Sequence, residues 1–248
     1  MICHLVDSAS IYMGPSHSHS VFDSKAIRAA FISKVFTIVF VQIVIASAIV
    51  AFFTFHQPTK EFFQANSGWA LAVSLISMVI VLIIMIVLSC FGSVGRGYPC
   101  NYVLLFILTI GFALMASMWA VHLDTVTVLC AFGATAISVF VLILAAQLCP
   151  YDMTTCGCTL CILALVHSLV CLILCLTLRD PQIVQLIIGS FGALLVSLYM
   201  IMDVQLIMGG RSHEISPEDY IIAALLLYSD IMNLFMYILM IFAGTRSD

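Results

Sequence analysis

Charge is scarce in this sequence. Asp, Glu, Lys and Arg make up 8% of its 248 residues, against roughly 25% in soluble domains. Twelve acids and eight bases cannot clothe a soluble protein of this length. A net charge of −4 is too small to suggest an electrostatic partner such as nucleic acid. No Asn-X-Ser/Thr sequon occurs, so glycosylation marks no loop as lumenal. The first 24 residues lack the basic head and apolar stretch of a secretory signal. The first long apolar run is therefore expected to be the membrane-insertion signal itself. Between residues 61 and 95 there is no basic residue at all.

Apolar residues are abundant, at 64%. Read as spanning helices of about 17–25 residues, the runs give seven candidates: 31–55, 69–91, 101–121, 125–147, 158–178, 183–208 and 220–243. Breakers lie between them at Pro58, Gly92 to Pro99, Pro150, Pro181 and Gly209-Gly210. The fold class is thus an all-α integral membrane protein of seven transmembrane helices. Residues 1–24, with "GPSHSHS", read as a disordered cytosolic tail, and 25–248 as one membrane domain. A cytosolic N-terminus places Lys25, Arg28, Lys34, Arg96 and Arg211 inside and Lys60, Arg179 and Arg246 outside. That is the positive-inside sense. The narrowest separation is "HLD" (122–124), between the third and fourth runs.

Against this background two acids stand out. Asp203 lies within "LYMIMDVQLIMGG" and Asp230 within "LLLYSDIMNLFMYIL". A carboxylate in hydrocarbon is expensive and is a candidate for function by default. Gly209-Gly210 ends one helix. Ser216 as N-cap, Pro217 as first helical residue and Asp219 as capping acid start the next. Asp203 then lies about 9 Å into its helix and Asp230 about 20 Å into its own. A last helix projecting about 10 Å further brings the two level. Tyr199 at i−4 from Asp203, and Asn233 and Tyr237 at i+3 and i+7 from Asp230, are the expected polar companions. The plainer reading is that each acid faces loop water or bonds a neighbouring helix structurally.

The stretch "DVQLIMGGRSHEISPEDYIIAALLLYSDIMNLFMYIL" (203–239) resembles the signature of the transmembrane Bax-inhibitor-motif family, closest to its Lifeguard branch. "YDMTTC" (151–156), "YPCNYVLLFILT" (98–109) and "IRAAFISKVF" (27–36) match the same branch in order. The resemblance implies a seven-helix fold with the last helix central between two three-helix layers. It also implies an endoplasmic-reticulum or Golgi protein that suppresses cell death, and a pH-sensitive calcium leak controlled by paired aspartates, carried here onto Asp203 and Asp230. No enzyme activity and no required cofactor follow. Calcium is the implied permeant or regulatory ion, and the partners are the lipid bilayer and cell-death regulators or calcium-release channels. This chain departs from the resemblance in lacking the second-helix arginine of the bacterial relatives, in carrying Val126 where many Lifeguard relatives have glutamate, and in a tail shorter than that branch's.

Two carboxyls within hydrogen-bond reach in a low-dielectric site cannot both ionise cheaply, so they share a proton and titrate as a unit. Loss of that proton leaves like charges that repel or recruit a hard cation such as calcium. Two other classes stay open. A non-conducting scaffold uses the same apolar belt and short loops. An intramembrane aspartyl protease also needs two acids on adjacent helices, but its Gly-X-Gly-Asp signature is missing before Asp203, and Tyr151-Asp152 follows Pro150 in a loop. Among ten cysteines, Cys156, Cys158 and Cys161 invite a metal reading. A closed zinc site needs four convergent ligands, whereas Cys158, Cys161, Cys171 and Cys175 share one helical run and read as small apolar residues. His17 and His19 are too sparse for a metal tract, and His167 reads as an interhelical bond. Gly189, Gly192 and Ala193 read as a close helix contact.

Overall fold

In a computed structural model, residues 21–90 and 97–245 are described, with side chains from 25–88 and 97–245. The tail expectation for 1–24 falls almost wholly outside this range, as do Arg96 and Arg246. The apolar runs become α1 (Val21–Phe55), α3 (Ser67–Cys90), α4 (Cys100–Ala120), α5 (Thr125–Leu148), α6 (Gly157–Thr177), α7 (Pro181–Met208) and α8 (Tyr220–Gly244), with a short α2 (Gln57–Ala65) between the first two. All except α2 are long and apolar enough to cross a membrane, which gives seven spans.

Helix ends follow local chemistry. The "HLD" turn separates α4 from α5 because Asp124 caps α5, accepting from the Thr127 N–H at 3.2 Å and its hydroxyl at 2.5 Å. Asp180 does the same for α7, accepting from the Gln182 N–H at 3.0 Å, with Pro181 at the first helical position. At the other end of α7, Gly209 and Gly210 have φ of 72° and 75°, open to glycine and strained for other residues. Gly209 pairs this with an extended ψ of −174°, so the chain leaves the helix without a left-handed helical cap. Ser216 does occupy the cap position before Pro217, but its backbone acts, not its side chain. The Asp219 N–H donates to the Ser216 carbonyl at 2.9 Å, closing a single 3-10 turn, Pro217–Asp219, before α8 begins.

The nine-residue α2 is absent from the sequence reading. It lies across the α4–α5 turn, where Lys60 Nζ donates to the Leu123 carbonyl at 2.8 Å and Gln64 Nε2 to the Val121 carbonyl at 2.7 Å. A cation placed at the carbonyl end of α4 also complements the helix dipole. This explains how Lys60 is buried at 8% exposure.

The last helix is the most enclosed span, and packs chiefly against α7, α5, α1 and α4. Its Ala223 and Ala224 are fully buried, and such small side chains let helices approach where lipid offers no hydrophobic drive. By contrast α6 leans mainly on α7 and turns most of its length outward. The exposed Ile162, Leu165, Leu169 and Leu172 form its lipid-facing stripe. Helices α7 and α8 run antiparallel in the most extensive contact of the fold. Gly189 lies against the backbone of Tyr237 and Ile241, Gly192 against the Tyr237 ring, and Gly244 against the backbone of Gln182 and Leu186.

Candidate functional site: a buried carboxyl pair beneath a polar cap

The antiparallel register that sets Gly192 against Tyr237 also sets Asp203 of α7 against Asp230 of α8. Their carboxyls lie within hydrogen-bond reach of each other. Because ionised carboxylates only accept, a bond between them needs a proton on one of the two. Asp203 is 4% exposed. Asp230 is half-buried as a residue, yet its Oδ2 is enclosed and meets no donor. Such a buried oxygen calls for a physical account, and a proton shared with the Asp203 carboxyl supplies one.

The other expected companions divide. Tyr199 is buried one turn before Asp203 on α7, and Asn233 is half-buried one turn beyond Asp230 on α8. Tyr237 is a correction. It shares Asp230's helix face but sits about 10 Å further along, where its ring packs on Gly192 and meets His167 edge-on at 5.9 Å. It belongs to the α6–α7–α8 contact, as does His167, whose Nε2 lies 3.4 Å from Cys171 Sγ.

Sequence reading missed what lies just beyond the pair. Arg28 of α1 reaches the end of α7 and donates from Nε to the Met208 carbonyl at 3.2 Å, from Nη2 to Leu206 at 2.9 Å and from Nη1 to Ile215 at 2.7 Å. It also lies 3.5 Å from Glu214. On another flank Gln205, buried at 2% exposure, donates to the Ala146 and Tyr151 carbonyls at 3.3 and 3.0 Å and accepts from the Met153 N–H at 2.9 Å. Arg211 donates to the Cys149 and Pro150 carbonyls at 2.6 and 3.3 Å. These bonds moor the end of α7 and its following loop to α1 and to the α5–α6 connection. Gln205 was visible as a polar residue within an apolar run and Arg28 as a base just before one, but their targets lie far away in the chain.

Asp152 completes this cap from outside the membrane. It accepts from the Ser212 N–H at 2.8 Å, the Thr154 N–H at 3.0 Å and the Thr154 hydroxyl at 2.5 Å. The Ser212 bonds first, then those of Thr154, hold its carboxyl below the usual carboxylate range. A depressed carboxylate stabilises the fold above its unfolded pKa of about 4 and loses that contribution as pH falls through its folded value. The melting-temperature gap between the wild type and Asp152→Ala in detergent should thus be full near neutral pH and narrow steadily on acidification below about pH 4. A gap independent of pH would show that these bonds carry no net charge stabilisation. With its carboxylate engaged in this loop, Asp152 is also not the intrahelical acid of a Tyr-Asp protease motif.

Among the described residues no three His, Cys, Asp or Glu side chains are grouped to hold a metal. Two carboxyls alone supply too few oxygens for a resident calcium site, which takes about six to eight.

Residues 28–247 match the family Bax1-I, described as inhibitor of apoptosis-promoting Bax1. Protein lifeguard 3 of Homo sapiens is 30% identical over 239 residues, covering 95% of this chain and 75% of its own length. Protein lifeguard 3 of Mus musculus is 31% identical over 228 residues, with 91% and 72% covered. Protein lifeguard 4 of Mus musculus is 30% identical over 226 residues, with 86% and 84% covered.

Proposed function

As the chain belongs to the Bax1-inhibitor family, we propose that it suppresses cell death as a calcium leak of endoplasmic-reticulum or Golgi membranes, gated by the Asp203–Asp230 pair. The observation that carries this reading is the hydrogen-bonded carboxyl pair enclosed between the two most intimately packed spans. A shared proton clasps α7 to α8. Its removal sets two negative charges together in a low-dielectric site, where they separate the helices or draw in a cation. The N-terminus is assigned to the cytosol. Among the described cations, Lys25, Arg28, Lys34 and Arg211 gather at the end of the bundle that holds the polar cap, while Lys60 and Arg179 lie at the other.

The test is calcium efflux from liposomes holding purified protein, measured across about pH 5 to 8. The wild type should leak calcium with a pH-dependent rate. Asp203→Asn and Asp230→Asn should each flatten that dependence. Flux no greater than from empty liposomes, from folded protein, would sink conduction and leave the pair as a structural clasp in a membrane scaffold.

A further inference from the structure

The carboxyl pair is met on one face of α8; a second polar contact holds the opposite face at nearly the same depth. The Tyr228 hydroxyl donates to the Thr109 carbonyl at 3.2 Å. Thr109 Oγ1 donates to the Leu105 carbonyl at 2.8 Å and accepts from Gln42 Nε2 at 2.9 Å. The ring of Tyr228 is further pinned by Phe112, edge-on at 5.8 Å. These groups tie α1, α4 and α8 together, and all are buried: Gln42 at 4% exposure, Thr109 at 1% and Tyr228 at 0%.

Tyr228 and Asp230 are two residues apart, so they lie about 3 Å apart along the helix and about 200° apart around it. Whatever fixes Tyr228 against α4 therefore fixes the direction in which Asp230 leaves α8. A side-chain tip about 5 Å from the axis moves about 2.5 Å for each 30° of rotation, enough to break a carboxyl–carboxyl hydrogen bond. The tie is also an odd choice for stability alone. Gln42 Oε1 is buried without a donor, and an unmet acceptor in the membrane interior offsets much of what the amide's other bond contributes.

The geometry points to Gln42, Thr109 and Tyr228 as positioning residues that set the rotation of α8 so that Asp230 faces Asp203. This deepens the carboxyl-pair gate proposed above and rests on it for function, though not for structure. Few other charged or titratable groups adjoin this level. Arg28 of α1 engages the end of α7, and Lys34 of α1 and Tyr102 of α4 gather on Tyr220, about 15 Å nearer the start of α8. His167 of α6 lies by Tyr237 on the far side, and α5 has no charged residue within its helix.

The readout is the infrared carbonyl band of protonated carboxyl groups, titrated on full-length protein in liposomes and assigned by its change in Asp230→Asn. Interhelical hydrogen bonds in membranes are worth about threefold to fifteenfold in an equilibrium. Tyr228→Phe and Gln42→Leu should therefore each move the band's pH midpoint by about half a unit or more. Thr109→Ser keeps the hydroxyl and should leave it in place. Both shifted variants are apolar and near in volume to the originals, so either serves if the other fails to fold. Midpoints within about 0.2 unit of wild type in both would overturn the assignment. A wild type that shows the titrating band but no calcium flux sinks the leak reading alone, because the band tests the tie without it.

Discussion

Replacing Arg28 with Met should lower the stability of the purified protein by about 3–4 kcal/mol, the largest loss expected from any single charged residue described. The guanidinium closes the carbonyl end of α7, donating to Leu206 and Met208 and to Ile215 in the returning loop. Terminal helix carbonyls have no partner of their own, and hydrogen bonds from a charged donor are worth about 1.5–3 kcal/mol each, without full additivity. The cation also opposes the negative end of the α7 dipole. Most of the effect lies in this fork and little in the ion pair. Glu214 is 56% exposed at 3.5 Å, and exposed pairs contribute about 0–1 kcal/mol. Glu214→Gln should therefore change the unfolding midpoint little. Arg28→Lys should fall near Met, since a single ammonium cannot serve three diverging acceptors. Denaturant unfolding of the four proteins in one detergent checks the order. Full rescue by Lys would mean that charge, not the fork, is what matters.

The arginine also shows where sequence reading reaches its limit. Its target carbonyls lie about 180 residues away in the chain, and nothing in "IRAAF" tells which helix end it meets. The spans were legible because a membrane imposes length and composition on each segment separately. Even the three-residue "HLD" separation held, through the Asp124 cap. The carboxyl pair was legible for a second local reason: short connections force antiparallel neighbours, and rise per residue then fixes depth. Tyr237 failed by that same depth. It shares Asp230's face, but about 10 Å further on that face meets Gly192 and His167 instead of Asp203. The short α2 was hidden because Pro58, which opens it, reads as a breaker between two apolar runs. Lys60 and Gln64 hold it to the backbone of a distant turn, and Phe63 packs on Phe53 of α1.

Gly189→Leu should be as disruptive as the loss of Arg28, at about 3 kcal/mol, and through the opposite end of the same helix pair. A Cβ on Gly189 would stand 2.9 Å from the Tyr237 carbonyl oxygen and 3.1 Å from the Ile241 nitrogen. Those are backbone atoms of α8 and cannot turn aside as a side chain can. Gly192 differs, because what it meets is the Tyr237 ring, which is able to shift at some loss of its contact with His167. The series Gly189→Ala, Val, Leu should therefore fall steadily. The helix-propensity gain of about 1 kcal/mol from Gly to Ala should be outweighed from the first step, because α7 and α8 must part to admit even a methyl group. Gly192→Ala should be milder. Thermal unfolding in detergent ranks the set. The same variants also bear on the clasp, since α7 and α8 meet closely at the glycines and again at Asp203–Asp230. Helices wedged apart at Gly189 carry the carboxyls away from each other while leaving both acids in place. The Gly189→Ala protein, still folded, should then show the pH response of the Asp→Asn variants in the liposome assay. A wild-type pH profile in that protein would mean that the carboxyl contact is set locally, by the cap and the Tyr228 tie, and not by the glycine seam.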